Sequence, residues 1–122
     1  MANIKRAIEL SVPIGKLEND RSASLVDCLK SKDIDAHINY NSGPDIIGND
    51  FIIEGKWDLL GRSTLNSLIG QINGYVQRYQ QRIFVVVCND AKYPLLVELV
   101  DFCRGQLYAS GIEVIVLHNI VK

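Results

Sequence analysis

The chain is 122 residues long, which suits one domain (1–122) that buries about two-thirds of its unfolded surface. Hydrophobic residues make up 48 %, yet no segment approaches the roughly 18 uninterrupted apolar residues of a membrane-spanning helix. A formal net charge of −1, with no run of Lys or Arg, argues against a broad basic face for nucleic acid.

Residues 3–12 are mildly amphipathic, with Ile4 and Ile8 four apart, and predict a short helix. Leu17 to Ser31 predicts a longer one, on which Glu18, Ser22, Leu25 and Leu29 share a stripe. That stripe places Glu18 on the inward face, although an acidic residue near a helix start is also favoured simply by the helix dipole. Ala36 to Tyr40 alternates as a strand does and runs into the turn Asn41-Ser42-Gly43-Pro44.

Ile46-Ile47 and Phe51-Ile52-Ile53 then flank Gly48-Asn49-Asp50, the mark of a β-hairpin. A two-residue loop at Asn49-Asp50 sets Asp45 opposite Glu54. A loop at Gly48-Asn49 sets Asp45 one diagonal step away. Both registers place Asp45, Glu54 and Lys56 on one face, because side chains alternate with period two, and Ile53, Gly55 and Trp57 on the other. Charge among apolar residues is costly unless it is paired or holds a metal. Two facing carboxylates suit a hard cation such as Mg²⁺, and a neighbouring ammonium can steady charge developing on a phosphate.

Gly61 breaks the chain, and Ser63 is the expected N-cap of a helix running to about Tyr79. Its apolar positions Leu65, Leu68, Ile69, Ile72 and Val76 recur at helical spacing. Gly70 and Gly74, one turn apart, predict a close backbone approach to the sheet. Ile83 to Cys88 is a continuous apolar run, expected of a central strand buried on both faces. Tyr93-Pro94 opens a further helix that ends before Gly111, and Ile112 to Leu117 is a last apolar strand. The fold class is α/β, a mixed sheet flanked by helices.

Pro44-Asp45 followed by Glu54-Gly55-Lys56 resembles the signature of the PD-(D/E)xK nuclease superfamily, the restriction-endonuclease-like fold. Gln71-Ile72-Asn73-Gly74-Tyr75, on the following helix, is similar to the Q-x-x-x-Y element of its RecB-like branch. Residues four apart share a helix face, so Gln71 and Tyr75 can address one site. The resemblance covers roughly residues 18–90 and implies an αβββαβ core, here with one added αβ unit. It implies a DNA endonuclease dependent on Mg²⁺ or Mn²⁺, with Asp45 and Glu54 as metal ligands and the Gly55 carbonyl as a third. Lys56 would position the attacking water or the pentacovalent phosphate, Gln71 would orient the site or the nucleic acid, and Tyr75 would support it. Glu18 would stand where many members carry an acidic residue on the first core helix. The family more often has a bulkier apolar residue at the position of Gly55.

The size is similar to that of Holliday junction resolvase-type members, which implies a homodimer and structure-selective cutting of DNA, with a protein partner as another source of specificity. The competing class is a non-catalytic interaction module on the same fold, its site vestigial. Arg62, Arg78, Arg82 and Lys92, with Lys56, are the cations expected to gather near the site.

Other chemistries lack their residues. His37 and His118 are far apart, no phosphate-cradling glycine loop is present, and zinc would need Cys/His pairs. Cys28, Cys88 and Cys103 have no CxxC spacing and lie in apolar surroundings, so buried free thiols and a cytoplasmic setting are expected. The N-terminal residues lack the apolar core of a signal peptide. Trp57 and Tyr79 are the candidates for stacking on bases, with core packing the other expectation for Trp57.

Overall fold

In the computed structural model, residues 3–12, 14, 18–88, 90–105 and 111–117 are described. The elements follow in the order α1 (Ile4–Glu9), α2 (Glu18–Lys30), β1 (Ala36–Ile38), β2 (Ile46–Gly48), β3 (Phe51–Lys56), α3 (Arg62–Arg78), β4 (Arg82–Cys88), α4 (Tyr93–Arg104) and β5 (Ile112–Leu117). The five strands form one sheet in sequential order, β1-β2-β3-β4-β5. β1, β2 and β3 pair antiparallel, as short connections require, whereas β3–β4 and β4–β5 are parallel and are bridged by α3 and α4.

Alternation along the strands divides the core in two. Phe51, Ile53, Phe84, Val86 and Cys88 point to the side covered by α1 and α2, against Ile8, Leu25 and Leu29. Ile52, Ile83, Val85 and Val87 point to the other side, against Leu65, Leu68 and Ile72 of α3 and Leu95 and Leu99 of α4. β4 is the hub, with Ile83 through Cys88 all buried, which is why its sequence is continuously apolar rather than alternating. Each of the fully buried Leu and Ile side chains contributes about 1.5–3 kcal/mol relative to exposure.

Several local expectations change. Gly61, not Ser63, is the N-cap of α3, without a side-chain cap; Ser63 lies inside the first turn. Cys88 and Cys103 are buried, but Cys28 is only half-buried, because it follows Asp27 around the outer side of α2; all three are free thiols. A Cβ built on Gly70 or Gly74 would meet nothing within 4 Å, so these glycines do not serve contact with the sheet. They lie on the open side of α3, while the sheet side is carried by Leu68, Ile72 and Tyr75. No described helix is long and apolar enough to cross a membrane.

Candidate active site

The hairpin adopts the first of the two registers. Ile46 pairs with Ile53 and Ile47 with Ile52 across the turn Asn49-Asp50, so Asp45 comes opposite Glu54 and Pro44 opposite Gly55. Pro44 has no N–H to offer the ladder and its carbonyl accepts from the Asn39 side chain at 2.9 Å, while the Gly55 N–H donates to Asp45 Oδ2 at 2.8 Å. The Asp45 carbonyl in turn accepts the Asn39 N–H at 3.0 Å, which anchors the strand entry on β1. One edge of β3 thus exchanges a backbone partner for a carboxylate where β2 begins.

Glu54 sits on the α3 side of the sheet and is only 3 % exposed. Tyr75 donates its hydroxyl to Glu54 Oε1 at 2.5 Å, joining helix to strand at the carboxylate. Burial, then the adjacent Asp45 charge, push the Glu54 carboxyl up to about 8; the Tyr75 hydrogen bond and the Lys56 charge pull the other way. Burial and Glu54 raise the Tyr75 phenol, so it remains a neutral donor. Lys56 follows on the same face, half-buried, and forms no salt bridge among the described residues. Residues 54–56 lie toward the carboxyl end of β3, beside that of its parallel neighbour β4, the end at which open α/β sheets bind ligands.

Of the expected site residues, Asp45, Glu54, Gly55, Lys56 and Tyr75 therefore converge. Gln71 is exposed one turn before Tyr75 and lines, with Tyr75, a groove between α3 and the Ser42-Gly43 loop, without a hydrogen bond to either carboxylate among those described. Glu18 opens α2, on the opposite face of the sheet from Tyr75, and its side chain lies outside the described residues, as does His118. Two of the expected cations are engaged elsewhere. Arg62 makes a two-pronged ion pair with Glu98, one bond being 2.9 Å, and Arg82 pairs with Glu113 at 3.2 Å at the start of β4, the end of the sheet away from Lys56. Arg78 alone of these arginines lines the groove beside Tyr75.

Trp57 is 1 % exposed and is a core residue, so it offers no stacking surface. Its position explains Gly55, since a Cβ there would stand 2.9 Å from the indole ring. The Trp57 ring occupies the space that a larger residue in the motif would need. Gly55→Ala is accordingly expected to cost about 1–3 kcal/mol, read as a lower midpoint in urea unfolding. An unchanged midpoint would show that Trp57 moves aside freely.

The donor set fits a hard divalent cation. Among the described residues no group of three or more His, Cys, Asp or Glu assembles. Two carboxylates and a strand carbonyl are nevertheless the sparse oxygen set that Mg²⁺ accepts while keeping water and substrate phosphate. Burial first, and then the Asp45 charge, raise the Glu54 carboxyl, and a cation beside the pair would offset the second of these.

No protein-family model matches the chain, and comparisons with curated proteins and with solved structures give no significant match.

Proposed function

We propose that this chain is a divalent-metal-dependent endonuclease of the PD-(D/E)xK kind, with a restriction-endonuclease-like core, that hydrolyses phosphodiester bonds of DNA. The observation that carries the reading is the convergence of Asp45, Glu54 and Lys56 on one end of β3, with Glu54 held from α3 by Tyr75. Asp45, Glu54 and the Gly55 carbonyl would hold Mg²⁺ or Mn²⁺. Such an ion supplies Lewis-acid polarisation of the phosphate and a water of lowered pKa. Lys56 places its ammonium where negative charge grows on the phosphoryl oxygens, and orients the attacking water. Tyr75 fixes the rotamer of Glu54, so the carboxylate needs no reorganisation when substrate arrives. Gln71, at the groove, contacts the nucleic acid rather than the ion.

One such site cuts one strand, so cutting of duplex or branched DNA calls for a homodimer or a partner protein. The free thiols suit a reducing, cytoplasmic setting. One observation favours the competing reading of a non-catalytic interaction module: on a chain of net charge −1, Arg62 and Arg82 are spent in ion pairs.

Cleavage of labelled single-stranded, duplex, flap and four-way-junction DNA with Mg²⁺ or Mn²⁺ tests the enzyme directly. Metal-dependent cutting of at least one substrate is expected; no cutting of any would favour the module. Ion binding has its own readout. Millimolar Mg²⁺ or Mn²⁺ should raise the thermal midpoint, by an amount equivalent to about 2.7 kcal/mol at a hundredfold excess over Kd. Asp45→Asn should abolish that rise, and an equal rise in parent and variant would place the ion elsewhere.

A further inference from the structure

A groove of about 220 Å³ runs from the candidate site along the open side of α3, bounded by the Ser42-Gly43 loop on one side and by Gln71, Tyr75 and Arg78 on the other. Tyr75 belongs to both places, since the hydroxyl that holds Glu54 stands on a residue of the groove lining. The loop is firmly built. Asn39 donates to the Pro44 carbonyl at 2.9 Å and accepts the Asn41 N–H at 3.2 Å. Gly43 holds a φ of +125°, which side chains rarely tolerate, with the Tyr79 hydroxyl 3.0 Å from where its Cβ would be. On this loop Tyr40 stands 91 % exposed. None of the described residues lining the groove carries a carboxylate, and Arg78 brings a positive charge. The floor contains Gly70 and Gly74, which destabilise a helix interior relative to alanine yet have no atom against them.

We propose that this groove seats a strand of DNA whose bases are unpaired, its phosphates passing Arg78 over the glycine floor and a base stacking on Tyr40. This rests on the endonuclease reading and narrows it to substrates with single-stranded character. The charge balance is the reason. With net charge −1, and with Arg62 and Arg82 in ion pairs, phosphate neutralisation supplies little affinity, so base stacking must supply the rest. Only unpaired bases offer their faces for that. The open floor lets a sugar-phosphate backbone approach α3 more closely than any side chain at positions 70 and 74 would allow.

The test is fluorescence anisotropy with a labelled oligothymidylate and a hairpin duplex, with Mg²⁺ present, in a Lys56→Ala background so that binding is read without cutting. The oligothymidylate should bind at least tenfold more tightly, roughly, than the duplex. Tyr40→Ala should weaken it by about tenfold or more. Arg78→Ala should weaken it and lower the log–log salt slope by about 0.7. Gly74→Leu fills the groove while improving helix propensity, so it should lose binding at an unchanged or higher thermal midpoint. Equal or tighter duplex binding, no binding of either probe, or parental binding by both Tyr40→Ala and Gly74→Leu would overturn the proposal. Binding with these signatures but no cleavage by the parent would defeat the enzyme reading and leave the groove. Metal-dependent cleavage undiminished in Tyr40→Ala and Gly74→Leu would do the reverse.

Discussion

Glu54→Gln and Lys56→Ala are expected to fold as the parent does and to lose metal-dependent DNA cleavage by at least about a hundredfold each. The two substitutions remove different things. Glu54→Gln keeps the shape of a side chain that is 3 % exposed, and its amide oxygen can still accept the Tyr75 hydroxyl, so what is lost is the capacity to ionise and hold a metal. Lys56→Ala removes a half-buried ammonium that no described carboxylate uses as a salt-bridge partner, so no ion pair is broken. Neither change opens a large cavity in either half of the core. Circular dichroism melts beside cleavage rates separate the outcomes. Two folded variants that cut as well as the parent would remove Glu54 and Lys56 from catalysis and the assignment with them. Loss of cutting with loss of fold would leave the roles unassigned for that variant, which is why the isosteric Glu54→Gln is preferred to Glu54→Ala.

The hairpin was legible because strand periodicity is rigid. Whichever turn joined β2 to β3, alternation kept Asp45, Glu54 and Lys56 together and sent Ile53 and Trp57 to the other core. The choice between the two turns was not legible, since Gly48-Asn49 and Asn49-Asp50 are both good turn pairs. Gly48 settles it by packing: a Cβ there would stand 2.2 Å from the Phe51 ring, so the ring lies across the glycine and the turn falls one residue later. The glycines of α3 misled for a related reason. A small residue in a helix marks close approach, but not which side approaches, and here the near side is open. Two of the cations were misjudged because charge has no periodicity: Arg62 and Arg82 found Glu98 and Glu113, far along the chain, on neighbouring elements. Gly43 was readable only as a turn residue and Tyr40 only as the end of a strand, since what Gly43 faces on α3 depends on where the loop lands.

Relative to its Glu54→Gln variant, the metal-free protein is expected to lose stability as pH rises from about 4.5 to about 8. Unfolded Glu54 titrates near 4.5, whereas in the fold burial and the Asp45 charge lift it to about 8. Between those values the native state holds a proton that the unfolded chain has released, so each step of pH favours unfolding by at most about 1.4 kcal/mol per unit. The contribution is fully present below pH 4.5 and gone above about 8. Asp45, Tyr75 and Lys56 face the group, and of these only Lys56 and the Tyr75 hydroxyl favour its ionised form. Glutamine cannot ionise, so the variant should be the more stable protein at pH 8, by an amount on the order of a few kcal/mol, and nearly equal to the parent at pH 4.5. Urea midpoints across this range in the presence of a chelator measure the difference directly, and comparison with the variant cancels the titration of every other group. Parallel profiles would mean that Glu54 is as well solvated as an ordinary surface acid. A carboxyl that destabilises the empty fold at neutral pH is one that a bound cation would relieve, in line with the ligand role proposed for Glu54.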